Sequence, residues 1–221
     1  MNKKVLVTAG STRIQIDQVR VISNIFKGTT GTQIAAYFQS QGDEVTLITS
    51  NPKLAAAHQL TRLETYYTFD ELADLMESAI IDSDYDVIIH SAAVSDYKTA
   101  GVFTREDADG ELVSLDASAK ISSEHQELFL KLVPTPKLID KIREPWGFAG
   151  FLVKFKLQVG LPDDWALIDI ARRSMDFSRA DLIVANCLEW AKEYAYFIDK
   201  HNNVVRTSRA DLATELYRRT R

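Results

Sequence analysis

Residues able to do chemistry gather in two short stretches of this chain. The first is "TAGSTRIQIDQVRVISNIFKGTTG" (8–31). It holds glycines at 10, 28 and 31, hydroxyls at Ser11, Thr12, Thr29 and Thr30, and cations at Arg13, Arg20 and Lys27. Backbone amides at a helix start attract anions, and an arginine adds a two-pronged donor for phosphate or carboxylate. The stretch differs from a dinucleotide-binding fingerprint, in which G-x-G-x-x-G spacing opens the helix at once. Here an apolar run, Val5-Leu6-Val7, ends at Gly10, and the helical pattern begins only near Thr30. A phosphate-binding turn is thus held open from Ser11 to Lys27. A polar surface loop with glycine turns is the plainer account of the same residues.

The second stretch is "HSAAVSDYK" (90–98). Its small residues let a ligand approach the backbone, and Asp96 suits a hydroxyl, an amine or a metal; a close-packed strand end with Asp96 as a cap explains it equally. Lys120, in "ASAKISS", follows a long polar segment and precedes the apolar run 127–133. Other patterns carry less. Tyr196 and Lys200 have the Tyr-x-x-x-Lys spacing of short-chain reductases, which works only on a helix, where i and i+4 share a face. "EYAYFIDKHNNVV" instead alternates like a hairpin with a turn at Asn202-Asn203. His58, His90, His125 and His201 have no ligand spacing, so no zinc site is expected, and the lone Cys187 has no histidine partner in view.

These residues need elements to position them. Apolar runs at 4–9, 44–49, 86–92, 148–155 and 181–186 read as strands, most of them buried on both faces as in a parallel sheet. The run 127–133 alternates, which suits an edge strand or a strand with one wet face. Helical patterns lie between: one capped by Thr29-Thr30 with Ile34, Ala35 and Phe38 inward; one over 69–80; a short one over 135–144 with Pro136 in its first turn; one over 163–175; and one over 208–220 with Ala210, Leu212, Leu216 and Tyr217 inward. Strand alternating with helix predicts a doubly wound, Rossmann-like α/β fold with a mostly parallel sheet, in one domain over 1–221. Segments 11–27 and 97–126 fit the alternation poorly. Both follow predicted strand ends, where open α/β sheets bind ligands.

Composition narrows the classes. The chain has 221 residues, a formal net charge of -5 and no basic block, which argues against nucleic acid as a partner. One cysteine rules out a disulfide framework. No apolar run reaches the roughly 20 residues of a membrane span, and "MNKKVLV" is too short for a signal peptide, so a cytoplasmic protein is expected.

Taken together, "VLVTAGSTRIQIDQVRVISN", "SAAVSDY", "AKISS", "LVPTPKLI" and "ADLIVAN" resemble phosphopantothenoylcysteine synthetase (phosphopantothenate–cysteine ligase) in its single-function bacterial form, from residue 3 to about 220. The resemblance implies a ligase that joins 4′-phosphopantothenate to L-cysteine in coenzyme A biosynthesis. It would use a nucleoside triphosphate, CTP in preference to ATP, with Mg²⁺, through an acyl-nucleotidylate. It implies catalytic roles for Asn24 and Lys120. Nucleotide contacts would come from Gly10, Ser91, Ala92, Asp96, Lys120, Thr135, Pro136, Lys137, Leu138 and Phe155, with Asn186 ending the last parallel strand nearby. Substrate contacts would come from Arg20, Asn24, Lys27, Gly28 and Ala93. No metal ligands are implied by name. The family is a homodimer through a strand-rich flap, here about 97–133. The chain departs from the usual pattern at Phe26 and Lys27, where serines are common, at Lys154, where glycine is, and at Ser174 and Ser178, where lysines are. Two rivals stand beside this reading: an NAD(P)-dependent reductase on the same fold, and a non-catalytic relative that binds nucleotide or phosphopantothenate.

Overall fold

The computed structural model describes residues 2–60, 62–105 and 110–221. Its frame is an eight-stranded sheet. Six strands run parallel: β1 (Lys4–Ala9), β4 (Glu44–Thr49), β5 (Arg62–Thr65), β6 (Val87–His90), β10 (Phe151–Gln158) and β11 (Leu182–Cys187). β12 (Tyr194–Asp199) and β13 (Val204–Ser208) add an antiparallel edge, so the order is β13-β12-β11-β10-β6-β1-β4-β5. This is the doubly wound α/β fold that the alternation predicts. Among the described residues no helix is long and apolar enough to cross a membrane.

The strands are apolar on both faces because both faces are covered. Leu6, Ile48, Ile88, Leu152 and Ile183 pack with Leu72 and Met76 of α3 (Phe69–Ile81), Leu138 of α4 (Leu138–Lys141), and Leu167, Ala171 and Met175 of α5 (Asp164–Ser178). Their neighbours Val5, Val7, Val45, Leu47, Val87, Ile89, Val153 and Val184 face the other way. These meet Ile34, Ala35 and Phe38 of α1 (Thr29–Ser40) and Leu212 and Leu216 of α6 (Leu212–Arg219). Ala210 precedes α6 and is exposed, contrary to the inward face expected of it.

The chain moves outward from β1 to β4 and β5, then returns to the other side of β1 with β6. The reversal leaves a crevice beyond the C-terminal ends of β1 and β6, where ligands bind in such sheets. The two strands stay together past their formal ends: the amide of Ala93 donates to the Gly10 carbonyl at 2.8 Å, and that of Ser95 to Thr12 Oγ1 at 2.8 Å.

The segments that read as irregular are β structure. Residues 11–27 hold a hairpin, β2 (Arg13–Gln15) with β3 (Val21–Ser23), pairing Ile14 with Ile22. The flap predicted at 97–133 is an antiparallel sheet of β7 (Tyr97–Thr104), β8 (Val113–Leu115) and β9 (Phe129–Pro134), ordered β8-β7-β9; residues 106–109 of that prediction lie outside the described residues. Run 127–133 thus pairs with β7 rather than with the main sheet, and its residues are half-buried or exposed without strict alternation. Other boundaries shift. α4 spans four residues rather than 135–144. The cap of α1 is Gly28, at φ 84 and with no side-chain bond, rather than a threonine hydroxyl. α2 (Pro52–Ala56), capped by Asn51, and the polar edge strand β5 carry no periodic signal and are additions to the reading.

One buried carboxylate joins hairpin to flap. Asp17, 1% exposed, accepts the amides of Val19 (2.9 Å), Arg20 (2.8 Å) and, across the gap, Ile121 (3.1 Å), together with the Arg20 guanidinium. Arg20 Nη2 also donates to the Ile121 carbonyl at 2.9 Å. The Arg20 guanidinium, helped by those amides, holds the carboxyl well below the usual carboxylate range. Its contribution is full above the ordinary aspartate pKa of about 4 and is lost as pH falls below it. Asp17→Ala leaves three amides without that acceptor, so a lower urea midpoint at neutral pH is expected, with faster amide exchange at Ile121. Urea unfolding and hydrogen exchange check this, and unchanged exchange at Ile121 contradicts it.

Candidate functional site

Two cavities open along the crevice and share a wall of Ala92, Val94, Phe155 and Lys156. The first, about 320 Å³, lies between the ends of β6 and β10 and the helices α4 and α5. Asp96, Pro136, Lys137, Leu138, Asp140, Lys154, Ser174 and Phe177 line it. The second, about 420 Å³, lies over the start of α1. Gly10, Asn24, Phe26, Lys27, Gly28, Thr30, Gly31, Ser91, Ala93, Asn186 and Arg209 line it.

Most residues singled out in the sequence meet here. Asn24 Nδ2 donates to the Ala93 carbonyl at 3.2 Å, which ties the hairpin to the end of β6. Lys137 pairs with Asp96. Thr135 lies outside both linings but orders their rim: its amide donates to the Asp96 carbonyl (2.9 Å) and its hydroxyl to the Ser95 carbonyl (2.7 Å). Ser91 Oγ donates to the Thr8 carbonyl at 2.6 Å. Two residues lie elsewhere. Arg20 is committed to Asp17 and Ile121. Lys120 is exposed and lines neither cavity, although its neighbour Ile121 is pinned by Asp17.

The glycines serve close approach. A Cβ on Gly28 would stand 2.5 Å from the Gly10 amide nitrogen, and one on Gly31 2.4 Å from Ser91 Oγ and 2.7 Å from Ala9 Cβ. Both contacts bring the first turn of α1 against the strand ends, where its amides and its positive dipole end face the second cavity.

The three departures on β10 and α5 meet at one point. Lys154, 7% exposed, rises from the sheet and its Nζ donates to the Ser174 carbonyl (2.8 Å) and Ser178 Oγ (3.0 Å). A cation thus sits beside α5 although the helix supplies none at those two positions. Burial pushes its pKa down to about 8, with Asp140 opposing. Burial, with the Lys154 charge second, pushes His90 down to about 4. That imidazole is therefore neutral near pH 7, and its Nδ1 shares a hydrogen bond with Thr8 Oγ1 at 2.9 Å. Lys154 is legible in sequence only as an unexpected residue, and His90 only as the first residue of the second stretch; Lys156, Asp140 and Arg209 give no local signal at all.

Other candidates fall away. Tyr196 stands on β12 and donates to Asp164 Oδ2 at 2.6 Å, while Lys200 reaches Asp181 at 3.5 Å, so they form no helical pair. Cys187 is buried and donates to Glu189 Oε2 at 2.7 Å. Among the described residues no group of three His, Cys, Asp or Glu side chains could hold a metal ion. The crevice supplies cations and amides, which suit phosphate esters.

The model of the family described as DNA/pantothenate metabolism flavoprotein C-terminal domain matches residues 1–220. The coenzyme A biosynthesis bifunctional protein CoaBC of Thermococcus kodakarensis is 36% identical over 219 residues, covering 99% of this chain and 48% of that protein. The corresponding protein of Haemophilus influenzae is 28% identical, over 96% of this chain and 50% of its own length. The chain thus spans about half the length of the curated relatives it matches. A crystal structure of the DNA/pantothenate metabolism flavoprotein from Streptococcus pneumoniae is 32% identical, with a TM-score of 0.82 over 98% of this chain and 97% of that one. A Cab2 mutant in complex with phosphopantothenate-cysteine, 18% identical, shares the fold with a TM-score of 0.75 over 99% and 86% of the two chains.

Lys154 makes the site sensitive to pH in a stated direction. An unfolded lysine titrates near 10.4, so between about 8 and that value the unfolded chain holds a proton that the folded chain has released. Stability then rises with pH across the window as the cost of a buried charge is relieved. In urea unfolding, the stability of the native protein relative to Lys154→Met is expected to increase from about pH 7.5 to about pH 10. A difference that stays flat contradicts it.

Proposed function

The chain belongs to the DNA/pantothenate metabolism flavoprotein C-terminal domain family, and from that premise we propose that it joins 4′-phosphopantothenate to L-cysteine at the expense of a nucleoside triphosphate. The observation that carries this is the pair of cavities with one shared wall. One is built from β6, β10, α4 and α5, with lysines and Phe155 for a nucleotide; the other, over α1, has cations and Asn24 for an anionic acid. A carboxylate is a poor acyl donor, so the reaction needs both ligands to meet. The carboxylate attacks the α-phosphorus and pyrophosphate leaves. The cysteine amine then attacks the acyl carbon, and the nucleoside monophosphate leaves with the bonding pair.

In this reading Phe155 lies against the base and Lys137, Lys154 and Lys156 face the phosphates. Asn24, held on Ala93, positions the mixed anhydride at the shared wall. Lys120, carried by the segment that Asp17 pins, moves inward over the triphosphate. CTP is the preferred nucleotide over ATP. Magnesium arrives on the triphosphate, which needs no cage of protein ligands. Two chains pair through the flap, and exposed Val19, Val21, Ile22, Ile25 and Phe26 on the hairpin beside it suit a face that a second copy covers. The reaction runs in the cytoplasm.

Pyrophosphate release with CTP and with ATP, each with phosphopantothenate and cysteine, tests the proposal; release that depends on the acid, and is faster with CTP, is expected. Binding of both ligands without release identifies a non-catalytic relative instead. The half-reactions separate the two named residues. Lys120→Gln is expected to slow formation of the acyl-nucleotidylate by about 10²–10³-fold, the usual cost of losing a charge-stabilising donor. Asn24→Asp is expected to leave that step working and stall the second, so the intermediate accumulates. Quench-flow with labelled triphosphate checks both, and accumulation in Lys120→Gln but not in Asn24→Asp reverses the assignment.

A further inference from the structure

The lining of the second cavity includes three cations, Lys27, Lys156 and Arg209, and no carboxylate. Arg209 is the one of the three that holds a buried donor without a partner. It enters from the link between β13 and α6, and its own amide is fixed on the Glu193 carbonyl at 2.7 Å. Its Nη2 donates to Thr30 Oγ1 in the first turn of α1, from 179 residues away in sequence. Its Nη1 is shut off from solvent and has no hydrogen-bond partner among the described residues. Among those residues no ion pair to a carboxylate involves it, and burial lowers its pKa. A partly buried guanidinium without a counter-ion is costly, and an unspent buried N–H adds to that cost. The first of these costs is relieved when an anion occupies the cavity that Arg209 lines.

Position within the crevice says which anion. Lys156 lines both cavities, whereas Arg209 and Lys27 line only the second. A carboxylate that is to meet the α-phosphorus must lie at the shared wall. The opposite end of the same acid therefore lies over α1 and Arg209. We propose that Arg209 is the anchor for the phosphate monoester of the substrate acid, seated between its guanidinium, Lys27 and the first turn of α1. A dianionic phosphate accepts paired donors from arginine and further amides from a helix start. The proposal rests on the ligase reading for the identity of the acid, and it adds the residue by which the phosphorylated acid is told from the unphosphorylated one.

The test compares 4′-phosphopantothenate with pantothenate in the native protein, Arg209→Lys and Arg209→Leu. Ligation kinetics give kcat/KM for each acid, and calorimetry gives phosphopantothenate binding without nucleotide. The native protein is expected to prefer the phosphorylated acid strongly. Arg209→Leu is expected to weaken phosphopantothenate binding by roughly 10- to 100-fold, the range of a lost charge-assisted bond, and to shrink the preference by the same factor. Arg209→Lys should fall between. An undiminished preference in either variant, or a rise confined to the KM of the triphosphate, overturns the assignment. If thermal melting shows Arg209→Leu unfolded, Arg209→Lys decides alone. If the native protein ligates neither acid but binds phosphopantothenate through Arg209, the ligase reading fails and the phosphate site stands; if it binds no phosphopantothenate, both fail.

Discussion

The structure depends on a place where the backbone returns to itself. The chain leaves β1 at Gly10 and starts α1 at Gly28, and the two are so close that a Cβ on Gly28 would stand 2.5 Å from the Gly10 nitrogen. Both glycines have positive φ, 90 and 84, which other residues rarely adopt. The hairpin between them is therefore an excursion that begins and ends at one point. It can be added without moving α1 off the strand ends, and the first turn of α1 still meets the crevice as it does in a simple nucleotide-binding turn. What the excursion adds is a wall: Asn24, Phe26 and Lys27 over a cavity that would otherwise be open.

That wall is held by charge rather than by apolar packing. The hairpin exposes Val19, Val21, Ile22 and Ile25, so it gains little from burial in one chain. Asp17 compensates by collecting amides from its own turn and from Ile121, and Thr99 Oγ1 adds a bond to the Gln15 carbonyl at 2.6 Å. Hairpin and flap are thus one unit, and Lys120 hangs next to its joint. Opposite, Lys154 is a buried ammonium held by a carbonyl and a hydroxyl; it leaves the cavity wall cationic and adds to the burial that keeps His90 neutral.

The legible parts of the sequence are those where both faces of an element are dictated by burial. "KVLVTA", "EVTLIT" and "DLIVAN" are strands with few alternatives, and their alternation with amphipathic helices dictates the doubly wound sheet, in agreement with the family match. β5, "RLET", is an edge strand with one half-buried residue, and nothing in its composition marks it. The hairpin strands are three residues long and mostly exposed, below the length at which alternation can be read. In the site, Gly28 and Asn24 stand out because they sit in one contiguous motif, although Asn24 bonds Ala93, 69 residues away. Arg209 and Lys154 act across 179 and 24 residues, on Thr30 and Ser178, so their chemistry exists only once the chain has folded.

In the proposed reaction, two adjoining cavities let a carboxylate attack the α-phosphorus of a nucleotide. Oxygen labelling follows that bond directly. With 4′-phosphopantothenate carrying ¹⁸O in its carboxylate, one labelled oxygen is expected in the nucleoside monophosphate released after cysteine attacks, and none in pyrophosphate. Label in inorganic phosphate instead, with nucleoside diphosphate as the other product, would show attack at the γ-phosphorus and contradict the account.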